Sequence, residues 1–202
     1  YLATPLGGRG VLVSGLPGVL PARYVVVGGG TVGENAARIA AGMEGQVIVA
    51  DKDASRMRLL DEILPENVST LASTPSNLED ALAQADVVIG AVLIPGAKAP
   101  KLITRKMIKK MRPGSVLVDV CIDQGGISET SRPTTHSHPT YFVDGVLHYC
   151  VTNMPGAYGH TATMAYTNAV LPYVVKLAQG NLQDALRQDP GLAAGLQFRP
   201  KL

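Results

Sequence analysis

Along this chain, short uninterrupted apolar runs alternate with segments whose apolar positions recur every three or four residues. "YVVVGGG" (24–30) is a β-branched run that passes straight into glycines. "TVGENAARIAAGM" (31–43) has the small-residue, apolar spacing of a helix packed closely on a sheet. The alternation then repeats. Strands are expected at 46–51, 68–73, 86–93 and 115–122, with helices at 54–64, 76–85 and 104–111 between them. In the first of these helices Leu59, Leu60, Ile63 and Leu64 form the inner side. Continuous apolar strands separated by helices predict an α/β fold with a doubly wound, Rossmann-type parallel sheet.

After Pro133 the pattern changes. "YFVDGVLHYC" (141–150) reads as two short strands, and 160–180 as one long helix that Pro172 should kink or break. Residues 181–202 read as a polar tail with one more short helix. The chain divides on this basis at 23 and 150. Residues 1–23 are a Gly- and Pro-rich connecting segment, 24–150 the sheet domain, and 151–202 a C-terminal helical segment. No internal repeat is visible.

Composition narrows the function classes. The 202 residues are 46% hydrophobic and carry a net charge of +2, spread with no long basic run, and Trp is absent. Nucleic-acid binding gains no support from that balance. No apolar stretch reaches membrane-spanning length, and the start lacks a signal segment, so no membrane partner is expected. Cys121 and Cys150 both fall in expected strands and read as buried free thiols in a reducing cytoplasm.

The candidate chemistry begins at "GGGTVG". Gly28, Gly30 and Gly33 match G-x-G-x-x-G, which alone is a weak signal. Here it follows a strand, opens a helix, and is followed 18 residues after its last glycine by Asp51. In that setting Gly28 permits the tight turn, Gly30 lets backbone approach a pyrophosphate, and Gly33 lets helix and strand pack closely. The helix N-terminus offers amides and positive dipole to the phosphates. Asp51, at the end of the second strand, would accept ribose hydroxyls and repel a 2′-phosphate. NAD is therefore favoured over NADP, a preference that Lys52 and Arg56 temper.

Other stretches admit two readings each. "AVLIPGAKAP" (91–100) lies past the fourth strand, where it lines the cofactor crevice or forms a plain surface turn. Ser73 reaches the adenosine end or simply ends its strand. His136 and His138 have the spacing of a metal pair, but no Cys or carboxylate cluster accompanies them and a solvated loop is the expectation; no metal is expected. His148 reads as a hydrogen-bonded strand residue. Asp123, at the tip of an apolar strand and followed by "QGG", either serves proton chemistry in the crevice or caps the strand end by accepting from loop amides.

Taken together, "GGRGVL", "VVVGGGTVGENAARIA", "IGAVLIPGAKAPKLIT", "MRPGSVLVDVCIDQGGISETSRPTTH" and "HYCVTNMPGA" resemble the alanine dehydrogenase family over most of residues 7–180. The resemblance implies reversible oxidative deamination of L-alanine to pyruvate and ammonium with NAD. Carried over by position, Gly28, Gly30, Thr31, Val32 and Gly33 hold the pyrophosphate, and Asp51, Arg56 and Ser73 the adenosine end. Val92 and Leu93 line the ring pocket with Arg132 at its rim. Val120, Ile122 and Val151 also contact the cofactor. Asn153 and Met154 lie between nicotinamide and substrate, and Asp123 is catalytic.

The resemblance also implies a homo-oligomer, hexameric in the family, and C-terminal helices that belong with a second, substrate-gripping domain. That domain would supply the cationic clamp and the catalytic histidine. The expectation is that these 202 residues alone bind NAD(H) without turning over alanine. A related group, the NAD-binding subunit of proton-translocating transhydrogenase, shares the glycine loop but lacks an acid at the position of Asp123. A non-catalytic NAD(H)-binding module is the alternative from another class. Gly159 and His160 depart from the Pro and Arg that the family pattern leads one to expect, and Arg56 stands where some members have Lys.

Overall fold

The structure, a computed structural model, describes residues 1–197. The expected alternation is realised as β1 (Arg23–Val27), α1 (Thr31–Gly42), β2 (Gln46–Asp51), α2 (Ala54–Ile63), β3 (Val68–Ala72), α3 (Pro75–Gln84), β4 (Val87–Gly90), α4 (Arg105–Lys110) and β5 (Val116–Asp119). A hairpin follows, β6 (Thr140–Val143) and β7 (Val146–Tyr149), turning on Asp144 and Gly145 with φ of 49° and 83°. Two consecutive positive-φ residues of Asp-Gly type suit the twist of a tight hairpin.

The strands form one sheet in the order β3-β2-β1-β4-β5-β7-β6. Every pair is parallel except β6 with β7. Because β7 runs parallel to β5, its exit at Cys150 lies at the same edge as the exits of β1 to β5. The strand order reverses between β1 and β4, the switch point at which such sheets bind ligands.

Alternation along each strand splits the core in two. Val26, Val47 and Val49 pack with Ala37, Ala40 and Ala41 of α1 and Leu60 of α2. Val25, Val27, Val88 and Leu117 pack on the other face with Leu78 and Leu82 of α3 and Met107 and Ile108 of α4. The sheet is thus covered on both faces, as continuous apolar strands require. Side-chain caps start α2 at Asp53, α3 at Thr74 and α4 at Thr104.

Two compact units are present, Tyr1–Met154 and Pro155–Leu202. Residues 1–22 belong to the first. The Tyr1 ring lies 5.7 Å from that of Tyr149, and the Arg9 guanidinium is 3.2 Å from the buried carboxylate of Asp86. In the second unit α5 (Gly159–Gln179) runs through Pro172 without a break, contrary to one outcome expected of that proline. A proline removes one donor and leaves the other rungs of the ladder in place. Among its described residues the tail contains two short helices in place of one, α6 (Leu182–Gln188) and α7 (Pro190–Ala194), capped by Asn181 and Asp189. The tail reading for 198–202 lies outside the described residues. No helix among the described residues is long and apolar enough to cross a membrane.

Candidate functional site

Two strands end earlier than their apolar runs. β4 stops at Gly90 because the Val92 amide leaves the ladder and donates to the thiol of Cys121 at 3.0 Å. β5 stops at Asp119, so Asp123 is not at its tip but on a single helical turn, Ile122–Gln124. The carboxylate at the tip is Asp119, which is fully buried. It accepts the amides of Cys121 at 3.0 Å and Ile127 at 2.9 Å and the hydroxyl of Ser131 at 2.5 Å. Asp119 therefore folds the 120–131 loop, a role that sequence reading missed. An acid inside an otherwise apolar strand was the available signal.

Both cysteines lie just past strands and not within them. They are buried and free. Burial, then the charge of Asp119, pushes the Cys121 thiol up to about 11, and burial likewise raises that of Cys150.

The glycine loop joins β1 to α1. Gly28 has φ of 102°, and a Cβ there would meet the Ala91 carbonyl oxygen at 2.7 Å. A Cβ on Gly33 would run into the carbonyl oxygen of Gly28. Both glycines are thus demanded by the fold itself. Gly30 is different: it is exposed, its φ of −66° suits any residue, and a Cβ would meet nothing within 4 Å. It is also the N-cap of α1 and offers no side-chain cap to the first-turn amides. Those amides and the helix dipole face open space that a side chain at position 30 would occupy.

Asp51 stands beside this loop. Its Oδ2 accepts the Gly29 amide at 2.6 Å and its Oδ1 the Asp53 amide at 2.9 Å, leaving further lone pairs on each oxygen. Arg56 donates from Nε to the Gly29 carbonyl at 2.5 Å and pairs through Nη2 with Glu34 at 2.7 Å. The Ser73 amide donates to the Asp51 carbonyl at 2.9 Å, so Ser73 directly adjoins Asp51 across β2 and β3. Gly28, Gly30, Gly33, Asp51, Arg56 and Ser73 are brought together.

A second group gathers at the exits of β4, β5 and β7. Leu93 is exposed, and Val92 is half-buried against the core. Val120 is half-buried, whereas Ile122 and Val151 are buried. Asn153, with φ of 51°, donates its amide to both oxygens of Asp123 at 3.3 Å. Asp123 thus accepts from a loop amide while remaining exposed. His136 approaches the Asn153 carbonyl at 3.2 Å through Nε2, which fixes that nitrogen as the donor.

Arg132, expected at the rim of the ring pocket, stacks on the hairpin strand β6. Its guanidinium lies 4.0 Å over the ring of Tyr141 on β6, and its amide donates to the Tyr141 hydroxyl. No cluster of three or more metal-ligating side chains occurs among the described residues. His148 is fully buried between the Val146 carbonyl at 3.0 Å and the Thr130 hydroxyl at 2.7 Å.

Comparison with known proteins gives a consistent result. Residues 1–200 match the family described as "Alanine dehydrogenase/PNT, C-terminal domain". An alanine dehydrogenase of Halomonas elongata is 58% identical over 190 residues, 94% of this chain and 51% of that protein. A solved L-alanine dehydrogenase superposes with a TM-score of 0.92 at 49% identity, covering 98% of this chain and 55% of that one. A transhydrogenase from Sinorhizobium meliloti superposes at 0.72 with 24% identity, over 86% of this chain and 52% of that one, a likeness of fold. The chain spans about half the length of the curated relatives it matches.

Proposed function

The chain belongs to the alanine dehydrogenase/PNT C-terminal domain family, and from that premise we propose that it forms the dinucleotide-binding half of an NAD-dependent L-alanine dehydrogenase. The reaction, proposed for a protein of the relatives' length, interconverts L-alanine, water and NAD⁺ with pyruvate, ammonium and NADH. One observation carries the reading. The first turn of α1 is uncapped, its N-cap Gly30 is exposed with empty space where a side chain would be, and Asp51 stands next to it. Internal packing explains Gly28 and Gly33 but gives no reason for a glycine at 30. A pyrophosphate approaching the amides does.

Bound NAD⁺ would supply the acceptor for the hydride that leaves the amino acid's α-carbon. The chain's own groups would do the rest. The α1 amides, with Thr31 and Val32, hold the pyrophosphate, and Asp51 accepts ribose hydroxyls with Ser73 beside it. Val92, Leu93, Val120, Ile122, Val151 and Met154 border the nicotinamide, with Arg132 at its outer limit. Asp123, exposed and steered by the Asn153 amide, orients water and the amine and exchanges a proton as the carbonyl forms. Hydride exchange between two nucleotides would need no such group, so a carboxylate here favours deamination. Substrate choice and homo-oligomer formation belong to the longer protein. Two free buried thiols support a cytoplasmic location.

The test has two arms. Titration of the 202-residue chain with NADH, followed by fluorescence, should show saturable binding, while L-alanine and NAD⁺ should yield no steady NADH formation. Absence of binding would overturn the cofactor assignment. In an enzyme of the relatives' length, Asp123→Asn should lower kcat by about 10²- to 10⁴-fold. A change smaller than tenfold would remove Asp123 from the chemistry.

A further inference from the structure

One ion pair at the adenosine end of the site, Arg56 with Glu34, is placed where it can decide which dinucleotide enters. Glu34, in the first turn of α1, binds two guanidiniums, Arg56 at 2.7 Å and Arg38 at 2.8 Å. Arg56 is thereby held with its Nε on the Gly29 carbonyl, while the Gly29 amide donates to Asp51. The two peptide groups that flank Gly29 are thus held, one by a carboxylate and the next by a cation.

Dinucleotide sites use those two groups for opposite ends. A carboxylate after the second strand takes the ribose 2′-hydroxyl, whereas a nearby arginine accommodates a 2′-phosphate. This chain carries both within reach of the same loop. What separates them is commitment. Asp51 keeps unused lone pairs, but the charge of Arg56 is spent on Glu34 and its Nε on Gly29. The Glu34 and Arg56 side chains are only 22% and 25% exposed, so solvent competes weakly for the pair. Hydrogen bonds from Arg56, then from Arg38, hold the Glu34 carboxyl below the usual carboxylate range, and it stays ionised at neutral pH.

We propose that Glu34 is a specificity-determining positioning residue: by pinning Arg56 to the glycine loop it withholds that guanidinium from a 2′-phosphate, so the preference for NAD(H) over NADP(H) is set by Asp51 and Glu34 together. The inference rests on the loop holding NAD(H). Its physical content is that an arginine beside the ribose site is neutralised by a partner 22 residues away in sequence, and is released when that partner loses its charge.

The experiment is a pair of fluorescence titrations, NADH and NADPH, on the 202-residue chain and on Glu34→Gln, with Glu34→Ala as a second variant. Both variants should shift the ratio of the two dissociation constants at least tenfold towards NADPH. Adding Arg56→Ala to Glu34→Gln should abolish that shift, which a merely structural role of Glu34 would not predict. A parent chain that binds NADH, with variants whose ratio stays within threefold, would overturn the role of Glu34 and leave the cofactor reading standing. A shift that survives loss of Arg56 would overturn it as well. A parent that binds neither dinucleotide would bring down both.

Discussion

The Ser131 hydroxyl donates to the buried carboxylate of Asp119 at 2.5 Å, across twelve residues of chain. With the amides of Cys121 and Ile127 on the same carboxylate, that contact shapes the loop carrying Asp123. Asp119→Ala would leave two buried amides without acceptors. A buried donor stripped of its partner costs roughly 1–3 kcal/mol, so the variant should lose about 3 kcal/mol of stability. Denaturant melts would measure it, and a loss under 1 kcal/mol would contradict the assigned role.

The glycine loop predicts opposite outcomes at two positions. Gly33→Ala forces a methyl group into the Gly28 carbonyl, and overpacking against backbone should cost roughly 3 kcal/mol. Gly30→Ala meets nothing in the fold, so its melting temperature should stay near that of the parent. Its methyl group would instead occupy the space assigned to the pyrophosphate and raise the NADH Kd at least tenfold. Thermal melts and NADH titrations on both variants would distinguish a folding glycine from a binding one.

The two thiols should be silent in the native state. Cys121 is pushed up to about 11 and Cys150 is raised, both chiefly by burial, so neither forms appreciable thiolate at pH 8. Ellman's reagent should detect no thiol in the native chain and both in denaturant. Rapid native reaction of either would show that its burial is not maintained in solution.

Stability should fall on mild acidification through His148. Burial lowers its pKa, although the charge of Asp119 opposes the change. The unfolded chain therefore takes up a proton near pH 6.5 that the folded chain refuses. This contribution is fully present above pH 6.5 and declines as pH falls towards the lowered folded value, with a slope of at most about 1.4 kcal/mol per pH unit. Melts between pH 7.5 and 5.5 should show the decline, and His148→Gln should flatten it. An unchanged slope in that variant would assign the acid sensitivity elsewhere.

Much of this was legible in the sequence, and the failures have a common cause. Apolar runs and helical spacing located every strand and every longer helix because period is a local property of the chain. The glycine loop and Asp51 were legible for the same reason: turn, helix start and strand end occupy consecutive positions. The ends of β4 and β5 were misplaced because both are set by side-chain contacts that strand periodicity does not encode, with the partner 29 residues away at β4 and two and eight residues away at β5. The Cys121 thiol takes the Val92 amide, and Asp119 takes those of the loop. Asp123 was expected at a strand tip, and the carboxylate found there is Asp119.

The sequence by itself therefore determined the class of fold, the loop that offers amides to a ligand, and the acid beside it. Only the tertiary structure decided that β7 inserts parallel to β5, bringing Asn153 to Asp123, and that Arg56 answers to Glu34 and Gly29. It also placed the Arg132 guanidinium on Tyr141. Those relationships depend on which distant side chains share a few ångströms. Hydrogen bonds and ion pairs select partners by distance and angle, and neither is encoded in the local period of the chain.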